Sequence, residues 1–152
     1  MNVTQFTAPR TGAVDLAGLL GELGVCKDSL IQISGPDGLG ALLWLCRRGY
    51  EHAAYVKCGS PCPSETADAL IAPHAMALGE LARLLERGPR VRPGGALVIQ
   101  VRSDAPDGEA AVQALLARFG FHIERRFDRG ERRLVAARRT GTPTGTPYAR
   151  AA

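Results

Sequence analysis

Residues 29–50 read Ser-Leu-Ile-Gln-Ile-Ser-Gly-Pro-Asp-Gly-Leu-Gly-Ala-Leu-Leu-Trp-Leu-Cys-Arg-Arg-Gly-Tyr. The run Leu30 to Ile33 is apolar at nearly every position, as in a central parallel strand covered on both faces. It enters a turn built of Gly35, Pro36, Asp37 and Gly38. The pattern then turns helical from about Asp37 to Arg48. Leu39, Leu42, Leu45 and Cys46 share one face, and Gly49 stops the helix. Arg47 and Arg48 stand at the C-terminal end, where positive charge is favourable. Strand, glycine turn and helix in this order open an α/β sheet of the nucleotide-binding kind.

Toward the N-terminus, Val14, Leu16, Leu19, Leu20 and Leu23 form a helical stripe that Gly24 ends, while Met1 to Thr11 is polar and unpatterned. Toward the C-terminus, Ala53 to Val56 predicts a second strand and Lys57 to Thr66, with its Gly, Ser and Pro, a loop. Asp68 to Ala72 predicts a third strand. His74 to Arg87 predicts a helix with Leu78, Leu81 and Leu85 on its buried face. Pro89 and Pro93-Gly94-Gly95 break the chain ahead of Ala96 to Val101, the clearest buried strand. Ser103 to Gly108 reads as a loop and Glu109 to Phe119 as a helix with Val112, Leu115, Leu116 and Phe119 in register. Phe121 to Phe127 and Arg132 to Ala137, joined by Asp128-Arg129-Gly130, predict a hairpin. From Arg139 the chain becomes a Thr-Gly-Thr-Pro repeat that cannot pack. The expected organisation is an arm over 1–11, one domain over 12–138 and a tail over 139–152. The fold class is α/β: a mainly parallel sheet with helices on both faces and a terminal antiparallel hairpin.

At 152 residues the chain suits one domain with one real core, and 45% apolar residues exclude a disordered chain. Aromatics are only 5%, so Leu, Val, Ile and Ala must fill that core. No apolar run reaches the length of a membrane span, and Met1 to Arg10 lacks the apolar segment of a secretory signal. A cytoplasmic location with Cys26, Cys46, Cys58 and Cys62 as reduced thiols is expected.

Three pieces together resemble the class I S-adenosylmethionine-dependent methyltransferase family, over about Ser29 to Arg138. Ile31 to Gly40 is placed like its glycine-rich first motif. Arg90-Val91-Arg92-Pro93-Gly94-Gly95-Ala96-Leu97-Val98-Ile99 looks like its "R-V-L-K-P-G-G-x-L-V-I" turn and strand. Leu115 to Ala137 resembles its last helix, "G-F" turn and closing strands. The resemblance implies a methyltransferase-type Rossmann-like sheet and S-adenosylmethionine above Gly35, Asp37, Gly38 and His74, which are the candidate site residues. The departures fall at that site. Where the family has acidic-apolar-Gly-x-Gly-x-Gly, this chain has Gln32-Ile33-Ser34-Gly35-Pro36-Asp37-Gly38. Proline fixes its own φ and removes an N–H where glycine would let a ligand come close. Lys57 stands where the family ends its second strand in an acid that grips the ribose hydroxyls, and lysine has only donors. The interval between strand two and Asp68 is too short for the helix, strand and helix the family places there.

The preferred reading is therefore a degenerate, truncated member, non-catalytic, with no cofactor expected and a binding, scaffold or regulatory role. The alternative is a working methyltransferase that uses S-adenosylmethionine at an unusual site. Gly35 to Gly40 is read first as a close-packing turn and second as a nucleoside or phosphate site. His74 is read first as a solvated helix-start residue and second as a group facing that site. Cys58-Gly-Ser-Pro-Cys62, even with His52 and His74, lacks the second close pair a zinc site needs, so no metal is expected. Lys57 beside Cys58 would favour an oxidisable thiolate. The arginines on the hairpin read as cross-strand ion pairs rather than a nucleic-acid surface, since no aromatic residues alternate with them. Without the strand that the family places beside strand two, Ala53 to Val56 is left as an open apolar edge. Either residues 58–66 cover it or a second copy docks there as a homodimer.

Overall fold

The computed structural model of the chain describes residues 16–56, 66–102 and 108–140. In chain order the elements are α1 (Leu16–Glu22), β1 (Ile31–Ile33), α2 (Gly38–Arg47), β2 (Ala53–Tyr55), β3 (Ala67–Met76), α3 (Leu78–Arg87), β4 (Val91–Arg102), α4 (Gly108–Arg118), β5 (Phe121–Arg129) and β6 (Arg132–Arg139). The strands form one sheet in the order β2-β1-β3-β4-β6-β5. The first four are mutually parallel, and β6 runs antiparallel to both β4 and β5. The expected β-α-β-β-α-β-α-β-β order is present, with its antiparallel strand supplied by the hairpin.

Period-two burial along the central strands makes two cores. Ile31, Ile33, Ala69, Ile71, Ala96 and Val98 face α1 and α2, packing on Leu19, Leu20, Ala41, Trp44 and Leu45. Leu70, Ala72, Leu97, Ile99, Val135 and Ala137 face the other way, onto Leu81 and Leu84 of α3 and Val112 and Leu116 of α4. Helices thus cover both faces, as a parallel sheet requires.

Four expectations need correction. First, α2 does not bury Leu39 and Cys46. Gly38, Ala41, Trp44 and Leu45 face inward, because the small residues let the helix lie close to the sheet. Leu39 and Leu43 are left 57% and 56% exposed. Second, α3 starts at Leu78, not His74, and its buried residues are Leu81 and Leu84, with Leu78 exposed. Third, β3 continues through Pro73 and His74 to Met76. Its pairing with β4 steps from Ala72↔Ile99 to Ala75↔Gln100, leaving Pro73 and His74 as unmatched extra residues. Proline lacks the N–H for the ladder, so it sits where the ladder slips. Fourth, Pro93-Gly94-Gly95 lies inside β4 rather than ahead of it. The register there steps from Ala67↔Val91 to Ala69↔Ala96. A methyl group on Gly95 would lie 2.5 Å from Val91 Cγ1 and 2.8 Å from the Asp68 carbonyl, so only glycine fits that bulge.

The sheet is anchored at the N-terminal ends of its strands by Asp68. Its carboxylate accepts the Leu30 N–H at 2.7 Å and pairs with Arg92. The Leu30 bond first, and the Arg92 guanidinium second, hold this carboxyl below the usual aspartate range. On the hairpin, Arg138 donates through Nε to both carboxylate oxygens of Glu124 at 3.0 Å and reaches the carbonyls of Gly94 and Glu22. Arg125 pairs with Glu22 of α1, while Arg126 and Arg133 pair with Glu109 of α4. The hairpin charges therefore tie it to the helices as well as to itself.

Candidate functional site

In a parallel sheet the ligand crevice opens above the carboxyl ends of the strands, where successive connections leave in opposite directions. Here β1 leads through α2 to β2 on one side, and the next strand, β3, lies on the other side of β1. The crevice is therefore above β1 and β3, and three segments meet there: the turn Ser34–Gly38, the end of β2, and the bulged end of β3.

The turn closes on itself. Ser34 is buried and its N–H donates to the Ile71 carbonyl at 3.0 Å. Gly35 follows with φ +106, a backbone angle that side chains rarely tolerate. The Gly38 N–H donates to the Gly35 carbonyl at 3.1 Å, so it is engaged within the turn. The Tyr55 hydroxyl donates to the same carbonyl at 3.1 Å.

Both glycines are covered by rings of this chain. The β3 bulge carries the His74 imidazole over Gly35. A methyl group there would overlap Nδ1 and lie 2.5 Å from Cε1. The Tyr55 ring lies over Gly38, where a methyl group would stand 2.5 Å from Cδ1. His74 is 19% exposed. Its Nε2 lies 3.6 Å from Glu80 Oε2, and its buried Nδ1 has no hydrogen-bond partner among the described residues. Glu80 also accepts the Ala77 N–H at 3.5 Å, which ties the start of α3 to the same carboxylate. Gln32, in the place of the acidic residue, is buried with its Oε1 unpartnered.

Of the four candidates, Gly35 and His74 are brought into contact. Gly38 meets Tyr55 instead, and Asp37 stays exposed with no side-chain bond capping α2. Sequence reading missed Tyr55 and Glu80. An aromatic residue ending the strand beside a glycine turn was the available signal for the first, and Glu80 had none. Lys57, Cys58 and Cys62 lie outside the described residues. Cys26 and Cys46 are free and exposed. The Cys26 thiol is held below its usual range, first by its contact with the Ser29 hydroxyl at 3.3 Å and then by a backbone bond at Asp28. A hollow of about 190 Å³ between α4 and β5, bordered by Gln113, Phe121 and His122, lies away from the crevice. It is smaller than a usual small-molecule site.

No sequence-family model matches the chain, and no curated protein sequence does. Solved structures match it strongly by shape. A ribosomal protein methylase from Lactobacillus delbrueckii subsp. bulgaricus superposes with a TM-score of 0.55 at 15% identity, over 83% of this chain and 77% of that one. The fibrillarin pre-rRNA processing protein of Methanococcus jannaschii gives 0.51 at 14% identity, over 76% and 68%. A 16S rRNA methyltransferase of T. thermophilus gives 0.50 at 14% identity, over 77% of this chain and 37% of that one. The chain is a Rossmann-like α/β protein. Within that class it has the class I methyltransferase-like fold.

Proposed function

We propose that this protein is a non-catalytic binding or scaffold domain built on the methyltransferase fold, its crevice filled by its own side chains. The observation that supports this is the pairing of rings with glycines, His74 on Gly35 and Tyr55 on Gly38. These glycines stand where an open turn would let a nucleoside approach. The Gly38 N–H and the Gly35 carbonyl are both engaged inside the protein. The residues present do not fit S-adenosylmethionine. At the position after the second strand where the family has its ribose-gripping acid, the sequence has Lys57, which offers only donors to the ribose hydroxyls. The test is a calorimetric titration with S-adenosylmethionine and S-adenosylhomocysteine. No saturable heat is expected. One-to-one binding in the micromolar range would reverse the reading.

The alternative is an S-adenosylmethionine-dependent methyltransferase with an unusual site. In its favour stand the buried, unpartnered Nδ1 of His74 and the likeness to the T. thermophilus enzyme, which was solved with AdoMet and guanosine. It requires His74 and Tyr55 to leave their glycines when the cofactor enters. The same titration decides between the two.

A further inference from the structure

The β2 edge and the adjoining face of α2 have the features of a self-complementary surface. Among the described residues β2 pairs only with β1. The Ile31 N–H donates to His52 and the Val56 N–H donates to Ile33, so residues 52, 54 and 56 direct their backbone groups toward β1. By alternation, the N–H and C=O of Ala53 and Tyr55 point away from the sheet. Ala53–Tyr55 has no Lys, no Pro and no bulge, and its three-residue length is what limits pairing at this edge.

We infer that a second copy of this chain docks here, β2 pairing antiparallel with its twin about a two-fold axis through Ala54. In that register Ala53 of each copy faces Tyr55 of the other. A hydrogen-bonded antiparallel pair exchanges both of its N–H···O bonds, so all four outward groups of each strand are satisfied. The two six-stranded sheets become one continuous sheet. Tyr55 lies on the α2 face of the sheet, against Gly38. The two-fold therefore places both α2 helices on that face, side by side and antiparallel. Leu39 and Leu43, one turn apart on α2, are more than half exposed and are the apolar surface that docking would cover.

Charge is complementary in the same arrangement. α2 has the exposed Asp37 at its N-terminal end and the exposed Arg47 at its C-terminal end. Neither has an ion-pair partner among the described residues. Antiparallel packing sets the acidic end of one helix toward the basic end of the other and opposes the two helix dipoles. A parallel or head-to-tail arrangement provides none of these pairings. The inference goes beyond the crevice reading and does not depend on whether a nucleoside binds.

Sedimentation velocity of the full chain over a wide concentration range tests it. The wild type is expected to shift from one chain mass to two. Ala53→Pro removes an outward N–H without touching the bonds to β1, and edge strands tolerate proline there. It is expected to weaken association at least about tenfold (~1.4 kcal/mol). Leu39→Glu, which leaves the backbone alone, is expected to do the same. Circular dichroism checks that both variants fold. A wild type that stays monomeric throughout, or a dimer that both folded variants leave intact, overturns the inference.

Discussion

Replacing Gly35 with alanine probes the packing of the crevice, because the new methyl group meets two separate penalties. The φ of +106 is strained for any residue but glycine and costs roughly 1–3 kcal/mol. The methyl group also overlaps the His74 ring at Nδ1 and Cε1. Overpacking of this kind costs about 1–3 kcal/mol. Together Gly35→Ala should cost roughly 2–6 kcal/mol. His74→Ala alone removes a mostly buried ring and its weak contact with Glu80, at about 1–2 kcal/mol. In the double variant the overlap is gone and only the backbone strain remains. The pair should therefore be less damaging than the sum of its parts, by about 1–3 kcal/mol. Urea unfolding followed by circular dichroism, with m-values checked for constancy, gives all four corners of this cycle. Additivity within about 0.5 kcal/mol would mean that His74 does not rest on Gly35, and the filled crevice would be refuted.

Gly38→Ala should cost far less, because the Tyr55 ring is 37% exposed and can swing outward while the helix gains about 1 kcal/mol of propensity; chemical denaturation should show a net change within about 1 kcal/mol. Asp68→Ala should cost about 2 kcal/mol near neutral pH by leaving the Leu30 N–H and Arg92 unpaired. The folded carboxyl lies below its unfolded value. Its contribution is therefore full above about pH 4 and is lost as pH falls through the depressed folded value, so wild type and variant should converge in strong acid. Arg138→Ala should cost about 1–2 kcal/mol because it loses four bonds at once, whereas Arg125→Ala, losing one exposed pair and a contact with the Phe127 ring, should stay within about 1 kcal/mol. Thermal unfolding at low and high salt should separate these two.

The strands and helices were legible because each signal was local. Leu30 to Ile33 and Ala96 to Val101 are each apolar at all but one position, and Gly24 and Gly49 take the positive φ that ends a helix. The lack of room for the family's strand beside β2 could be read from the short interval before Asp68, and among the described residues β2 stands at the sheet edge. The site was less legible because it depends on a register slip. Pro73 looked like the end of a strand. It marks a bulge that throws His74 over Gly35, and only the pairing with Ile99 and Gln100 reveals this. The face of α2 was misjudged for a related reason. Counting leucines favours Leu39, while close approach to the sheet favours Gly38 and Ala41. The substitutions at Ser34, Pro36 and Lys57 were visible in the sequence, but the rings lying over Gly35 and Gly38 were not, because His74 and Tyr55 belong to other strands.

The filled crevice is tested most directly by proton–proton contacts in solution with S-adenosylhomocysteine present in large excess. Cross-relaxation between the His74 ring and the Gly35 α-protons, and between the Tyr55 ring and the Gly38 α-protons, should persist unchanged. Loss of those contacts, with ribose protons of the ligand appearing beside Gly35 in their place, would contradict it.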